Sequence, residues 1–483
     1  MQPKQVAAII GGGVIGGGWA ARFLLHGWDV NLYDPDPEAQ RKFEAILANA
    51  RRSLPGLYNG LLPDEGALQL CPTLNAAVSP ATWIQESVPE RLDLKQATLA
   101  AIQATASPAA VIASSTSGFK PSELAAQVTH PGQILVAHPY NPVYLLPLVE
   151  LVAHTKRDAS ITAQAVEITR SIGMHPILLN KEIDAHIGDR LLESIWREAL
   201  WLIKDDYATT IQIDDIIRFS FGLRWAQMGL FETYRIAGGE AGMAHFIDQF
   251  APALQWPWSH LTNVPELDDA LVQKIASQSD QQSGHLSIRD LERQRDNNLV
   301  AMLRALKGQN SAAGALLNRL DAQLAPSRAV DWSAPVITAD RIVPLDWTDH
   351  NGHMNETHYL EVMSRACDHL LELLGCDQAY IAAGHSYFTV ENVIQHLDEA
   401  SAGERVQVRS QIIAGTGKTL HLYHELLRDE AQVIATAEQM LIHVSLQTRR
   451  ACAPVAPVDS TLDAAATAQA NLPRPARLKA GRT

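Results

Sequence analysis

The sequence predicts three folded units in one chain: an α/β unit built on a doubly wound parallel sheet, an all-helical unit, and a compact α+β unit. Three observations carry this reading. The 483 residues exceed what one core normally serves. The hydrophobic texture changes near residues 183 and 335, from short apolar runs to long helical periodicity and back to strands. The content of 47% hydrophobic and 19% charged residues is that of folded protein, so little disorder is expected before the last segment.

In the first unit, residues 1–183, the apolar run Val6–Ile10 ends in glycines, and residues 28–33 form a second run ending at Asp34, with room for a helix between them. Further runs at 83–88, 111–115, 134–138 and 148–152, separated by helix-compatible stretches such as 94–104, continue the β-α-β alternation of a parallel sheet. In the second unit, residues 184–310, helical periodicity dominates at 185–206, 214–221, 240–250, 266–277 and 287–306. Ser287 followed by Asp290 predicts a capped helix start, because a short hydroxyl accepts from exposed backbone N–H groups. Residues 311–335, within an Ala/Ser/Gln-rich stretch with two prolines, are expected to be a linker. In the third unit, residues 336–451, a strand at 336–343 precedes an amphipathic helix at about 356–374 and strand-like runs at 386–395, 404–414, 419–428 and 432–445. The Ala/Pro-rich remainder, 452–483, is expected to be a disordered tail.

The net charge of -14 and pI near 5.7 argue against nucleic acid or an anionic membrane as partner, since both need clustered Lys and Arg. Four cysteines far apart and without CxxC spacing suggest reduced thiols, no disulfide framework and no metal site. The N-terminal apolar run is too short for a signal-peptide core, and no apolar stretch reaches membrane-spanning length. A cytoplasmic protein acting on small molecules is expected.

Gly11-Gly12-Gly13-Val14-Ile15-Gly16 satisfies GxGxxG directly after a strand and at a helix start. Gly11 permits the tight turn, Gly13 lets backbone approach a pyrophosphate, and Gly16 allows helix to pack on strand, while the helix N-terminus attracts negative charge. Asp34, eighteen residues after Gly16 at the end of the next strand, can accept hydrogen bonds from an adenosine ribose and would repel a 2′-phosphate. The pattern predicts a Rossmann-type site for NAD rather than NADP.

His138 follows the apolar run 134–137, at the carboxyl edge of a strand where doubly wound sheets bind their ligands. Oxidising a secondary alcohol requires a base for the hydroxyl proton, and imidazole, with an ordinary pKa of about 6.5, suits that task. Glu150 in the next strand-like run is the candidate partner that would orient the ring and stabilise the imidazolium.

Glu86-Ser87-Val88-Pro89-Glu90, Ser114-Ser115-Thr116-Ser117 and His138-Pro139-Tyr140-Asn141-Pro142, with Glu150 twelve residues after the histidine, resemble the 3-hydroxyacyl-CoA dehydrogenase family over about the first 310 residues. That resemblance implies a second domain of the 6-phosphogluconate-dehydrogenase C-terminal type. It makes His138 the acid/base and Glu150 its partner, sets Ser117 and Asn141 against the reacting oxygen, and adds Glu90, Lys95 and Ser115 to the cofactor site. One departure stands out: the family usually has Asn before Arg-Leu at the start of its second domain, where this chain has Asp189 before Arg190-Leu191.

The segment from Phe221 to Gly229, then Thr233-Tyr234-Arg235 and the stretch from Ala237 to Met243, resembles the bacterial L-carnitine dehydrogenases within that family. The resemblance implies oxidation of a 3-hydroxy acid that carries a carboxylate at one end and a quaternary ammonium at the other. Quaternary ammonium offers no conventional hydrogen-bond donor, so aromatic faces and a nearby negative charge must recognise it. Tyr140, Tyr144, Trp196, Trp225, Phe231 and Tyr234 are candidate rings, Asp189 or Glu198 candidate charges, and Arg224 a candidate bidentate partner for the carboxylate.

Asp346-Trp347-Thr348-Asp349-His350-Asn351-Gly352-His353-Met354-Asn355, ahead of the predicted helix, resembles the hotdog-fold acyl-CoA thioesterases. By that resemblance Asp349 activates water or attacks the thioester, and the helix N-terminus polarises the carbonyl. Together the two resemblances imply betainyl-CoA as its substrate, since dehydrocarnitine can be converted to betainyl-CoA by another enzyme and a thioesterase would release glycine betaine. Gly415-Thr416-Gly417-Lys418-Thr419 ends like a phosphate loop but has Ile412 where that motif needs glycine, and it reads as a turn between antiparallel strands. Both families are usually oligomeric, so a homodimer or larger homo-oligomer is expected. The competing readings are a 3-hydroxyacyl-CoA or gulonate dehydrogenase with a merely structural third unit, and a crystallin-like NAD-binding protein.

Overall fold

The computed structural model describes residues 5–58, 61–237, 285–323, 330–429 and 431–477, with scattered positions between 259 and 277. The chain divides into two compact units, one of Met1–Ala50 with Asp64–Leu317, the other of Arg51–Pro63 with Asn318–Thr483. Arg51–Pro63 therefore groups away from the residues that flank it in sequence.

The first unit is built on an eight-stranded sheet of β1 (Val6–Ile10), β2 (Asp29–Tyr33), β3 (Leu68–Leu70), β4 (Trp83–Glu86), β5 (Val111–Ser114), β6 (Ile134–Pro139), β7 (Leu148–Ala153) and β8 (His175–Leu178), in the order β3-β2-β1-β4-β5-β6-β7-β8. The first six strands run parallel, as the alternation predicts. The expectation of a wholly parallel sheet needs correction, because β7 is antiparallel to β6 and β8 runs with β7. The cause is chain length: only the stretch from Tyr140 to Pro147 joins β6 to β7, too short for a parallel crossover. The hairpin sets His138 directly opposite Glu150 in register.

Ile10, Ile84, Ile112, Ile134, Val136 and Val152 pack with Leu99 and Leu124 in one fully buried cluster, while the rings of Trp19, Phe23 and Trp83 pack together with centroids 6.0 Å apart. Arg22 is buried on the helix Val14–Leu25, and its guanidinium donates to the carbonyls of Val143 at 2.7 Å, Gly173 at 2.7 Å and Ile172 at 3.0 Å. Three carbonyl acceptors replace the water this cation loses, and the loop behind His138 is pinned in return.

The helical part contains Gly188–Lys204, Thr210–Ile216, a π turn at Ile217–Phe221, Gly222–Ala237 and Ile288–Gly308. The expected cap is present, with Ser287 Oγ accepting from Asp290 N at 3.2 Å. Tyr144 Oη donates to Asp296 Oδ2 at 2.7 Å, tying the loop after β6 to the helix Ile288–Gly308. The predicted helix at 240–250 and most of that at 266–277 lie outside the described residues. The expected linker holds a helix, Ala312–Gln323, with Leu316, Leu317 and Leu320 buried along one stripe.

In the second unit β9 (Val336–Ile342), β10 (His385–His396), β11 (Arg405–Thr416), β12 (Thr419–Arg428) and β13 (Gln432–Ser445) form an antiparallel sheet in the order β10-β13-β12-β11-β9, with β14 (Arg450–Ala451) added to β13. The helix Glu356–Leu373 lays Tyr359, Val362, Met363, Ala366 and Leu370 on this sheet, the three- and four-residue spacing of a buried helical stripe. This is the hotdog arrangement. Gly417, at φ +60°, turns the chain between β11 and β12, so the phosphate-loop lookalike is a hairpin.

The disordered tail expected from residue 452 is a second correction. A helix, Val458–Gln469, buries Val458, Leu462, Ala465 and Gln469. The Gln469 side chain accepts from Ile412 N at 2.7 Å, where a bulge in β11 interrupts pairing with β12, and donates to Ala334 O at 3.0 Å. Alanine-rich composition resembled low complexity, yet the apolar positions keep a helical period.

Candidate active sites

The glycine-rich turn follows β1 at the point where the strand order reverses between β1 and β4. Gly11 has φ +98°, and a Cβ there would stand 2.6 Å from the Ser87 carbonyl oxygen. A Cβ on Gly16 would meet the Gly11 carbonyl at 1.9 Å, whereas nothing lies within 4 Å of one on Gly13. The turn is closed on its protein side and open where a pyrophosphate must approach. Asp34 is fixed at its mouth, Oδ2 accepting from Gly12 N at 2.6 Å and Oδ1 from Asp36 N at 2.8 Å. Val14 opens the helix with no acidic residue in its first turn, so no side chain of that turn offsets the positive end of the dipole.

Ile15, Glu90, Lys95, Ser115, Ser117 and His138 line one cavity of about 300 Å³. Lys95 is almost fully buried and paired with Glu86 at 2.9 Å and Glu90 at 3.2 Å, so its charge is offset on two sides. Glu90 Oε1 in turn accepts from Thr116 Oγ1 at 2.5 Å and Ser117 N at 3.2 Å, which shapes the loop after β5. These residues fit a dinucleotide: an open backbone cradle, an anchored carboxylate for the ribose, and a lined cavity running to the base.

His138 and Glu150 are both buried, and His138 Nδ1 stands 2.9 Å from Glu150 Oε2. Tyr140 Oη donates to the same oxygen at 3.0 Å. Glu150 Oε1 accepts from Ile187 N at 3.0 Å and Gly188 N at 3.1 Å, the first turn of the helix Gly188–Lys204. Ile187 offers no capping side chain of its own, so Glu150 is the cap, and the helix dipole adds to its stabilisation. Burial alone would raise the Glu150 carboxyl, but bonds from His138, Gly188, Tyr140 and Ile187 outweigh it and hold the group at about 2, below the ordinary 4.5.

A carboxyl depressed in this way stabilises the fold fully above its unfolded value and loses that contribution as pH falls through the folded one. Thermal stability should therefore decline between pH values of about 4.5 and 2 as Glu150 takes a proton. Glu150→Gln should flatten that decline when melting temperature is measured against pH; an unchanged slope would remove Glu150 from the acid limb.

Asp189, in the first turn of the same helix, places Oδ2 3.8 Å from His138 Nε2. The base thus has one nitrogen bound to Glu150 and the other facing a half-buried carboxylate. A Cβ on Gly188 would stand 1.4 Å from Tyr140 Oη, so glycine is needed for Tyr140 to reach Glu150. His186 escaped sequence reasoning altogether: it is fully buried, its ring lies 5.3 Å from that of His138, and Nε2 is 3.2 Å from the Thr116 carbonyl. Ala185 and His186 have φ of +58° and +49°, a bend that carries no side-chain signature and aims the helix start at Glu150.

Other candidates are not brought to the base. Asn141 is exposed beyond β6. Arg224 is exposed, and Trp225 packs on Phe221 with centroids 4.6 Å apart; neither lines the His138 cavity, because the helix Gly222–Ala237 turns the arginine to solvent. Tyr144 is buried and spends its hydroxyl on Asp296, while Trp196 and Phe231 are exposed.

In the second unit Asp349 sits in a tight turn closed by Gly352 at φ +81°, with Asp349 N donating to His353 O at 2.9 Å. Its Oδ1 accepts from Asn351 N at 2.8 Å, and these bonds hold the carboxyl below its usual range, ionised and partly exposed. Asn355 caps the helix Glu356–Leu373 by accepting from Thr357 N at 3.0 Å.

Comparison with known proteins agrees with this anatomy. Residues 6–183 match the NAD-binding domain of 3-hydroxyacyl-CoA dehydrogenase, 186–277 its C-terminal domain, and 343–466 the thioesterase-like superfamily. The chain is an NAD-dependent dehydrogenase of the 3-hydroxyacyl-CoA dehydrogenase family joined to a thioesterase-like domain. Over 97% of its length and 97% of the relative's it is 58% identical to the L-carnitine dehydrogenase/betainyl-CoA thioesterase of Ruegeria pomeroyi. It belongs to the family of such fused proteins. An L-carnitine dehydrogenase of Mesorhizobium japonicum is 56% identical over 64% of this chain and 85% of its own. A solved structure, the NAD-dependent dismutase 5-formyl-3-hydroxy-2-methylpyridine 4-carboxylic acid 5-dehydrogenase, covers 63% of this chain and 99% of its own at 25% identity, with TM-score 0.54. No helix among the described residues is long and apolar enough to cross a membrane.

Proposed function

We propose that the first unit oxidises L-carnitine to 3-dehydrocarnitine with NAD and that the second hydrolyses betainyl-CoA. The observation that carries the first half is the His138–Glu150 pair with Asp189 3.8 Å from the remaining imidazole nitrogen. His138 Nε2 takes the hydroxyl proton, and Glu150, already ionised by its bonds, stabilises the imidazolium that forms. NAD supplies the hydride acceptor. In carnitine the ammonium lies only two bonds from the carbinol carbon, so an anion within a few ångströms of the base stands where that cation must rest. A hydroxyacyl-CoA has no charge there. Ser117, at the cavity wall, is the residue we assign to the reacting oxygen.

NADH formation from L-carnitine, 3-hydroxybutyryl-CoA and gulonate tests this reading. Turnover of carnitine with the other two inert supports it, and the reverse refutes it. Asp189→Asn keeps the shape and removes the charge, so the KM for carnitine should rise about tenfold, the effect of roughly 1.4 kcal/mol, with a smaller change in kcat. A KM unchanged in the variant would take Asp189 out of cation recognition.

We also assign a cytoplasmic homodimer or higher homo-oligomer. Leu191, Trp196, Phe219 and Phe231 expose more than half of their surface on the helical part, an apolar display that suits burial against another copy. Sedimentation of the full chain tests it, and a monomer at micromolar concentration refutes it.

A further inference from the structure

In the thioesterase-like unit the end of β13 runs between β10 and β14. His443 on β13 is paired with Tyr387 on β10, and on its other flank Cys452 N donates to the His443 carbonyl at 3.0 Å. Residues paired across strands share a sheet face, as do residues two apart along a strand. His385, two before Tyr387, therefore projects to the same side as His443 and Cys452. One potential ligand atom from each of the three lies within 4.8 Å of the other two.

The local chemistry points the same way. His443 Nδ1 is 3.4 Å from Cys452 Sγ, close to the edge of a tetrahedron with metal–sulfur and metal–nitrogen bonds of about 2.3 and 2.1 Å. His443 Nε2 is 2.7 Å from Tyr380 Oη, the outer partner that fixes the ring of a metal-bound imidazole. His385 Nδ1 is buried without a hydrogen-bond partner among the described residues, and its ring stacks on His443 at 5.7 Å.

We propose that His385, His443 and Cys452 form a site for one thiolate-preferring divalent metal of the zinc class, with a fourth position left to water or an added ligand. On binding, the Cys452 thiol proton leaves to solvent. His443 gives up its Nδ1–H bond to the Cys452 carbonyl and carries its ring proton on Nε2, where Tyr380 Oη accepts it. No electrons move. The bond would fasten the arm that leads from β14 into the helix Val458–Gln469 to the ends of β10 and β13. The spacing 385, 443 and 452 contains no linear metal motif; strand pairing assembles the site, which is why cysteine spacing argued against a metal.

Cobalt titration of the full-length, chelator-treated protein tests the site. One equivalent of Co²⁺ per chain should bring in a near-ultraviolet thiolate-to-cobalt band, Cys452→Ser should abolish that band, and His385→Gln should weaken Co²⁺ binding at least tenfold. Circular dichroism and thermal melting check that both variants are folded. Failure of the wild-type protein to bind one equivalent, or a thiolate band that survives in Cys452→Ser, would overturn the proposal. The oxidation activity of the first unit has no part in either outcome.

Discussion

Replacing His138 with alanine should lower the turnover of L-carnitine by about 10²–10⁴-fold, the usual contribution of a positioned acid/base, while leaving NADH binding nearly unchanged. The two effects separate because the cofactor's anchors, the Gly11–Gly16 turn and Asp34, are held by backbone contacts in which His138 takes no part. In the variant Glu150 keeps three of its four partners, Tyr140, Ile187 and Gly188, so the helix Gly188–Lys204 stays capped and the fold should persist. What is lost is the one imidazole nitrogen facing the cavity. Steady-state rates with fluorescence titration of NADH measure both quantities. A variant with the wild-type rate would end the acid/base assignment, and one that also lost NADH would mean that His138 shapes the cofactor site.

Asp349→Ala should remove hydrolysis of betainyl-CoA by about 10²-fold or more, as loss of a general base does, and leave carnitine oxidation at its wild-type rate. Asp349 and His138 belong to different compact units, and sites that share no partners mutate independently. The carboxylate is ionised, oriented by Asn351 and partly exposed, the condition a base or nucleophile needs. Hydrolysis that survives the substitution would move the thioesterase chemistry elsewhere in the unit. A wild-type protein inert towards short acyl-CoA esters would leave it a structural role.

Much of this was legible in residue order because the informative features are local. A strand that ends in GxGxxG, an acid after the next strand, and a capping Ser287–Asp290 pair each state their geometry within a few residues. The His138–Glu150 pair was legible too, since a short connection between two strands forces a hairpin and sets their register. The same connection announced that β7 must run antiparallel, a consequence that alternation of strands and helices obscured. The edge strands β3 and β8 were missed because they are only three and four residues long and mostly exposed. The helix Val458–Gln469 hid within an alanine-rich stretch whose buried positions are small.

What escaped altogether was assembled by tertiary structure. His186 reaches His138 through two residues at positive φ, and His385, His443 and Cys452 meet only when three strand ends pair. Arg224 and Trp225 show the converse. Residue type made them attractive, but the helix that carries them turns one to solvent and the other onto Phe221.

The sharpest comparison available is kcat/KM for L-carnitine against its uncharged isostere, in which carbon replaces the quaternary nitrogen and shape is kept. With Asp189 facing His138 Nε2, carnitine should be preferred by about tenfold or more, and the preference should shrink in Asp189→Asn. Equal rates for the two compounds, or a preference for the neutral one, would show that the site beside His138 does not read positive charge.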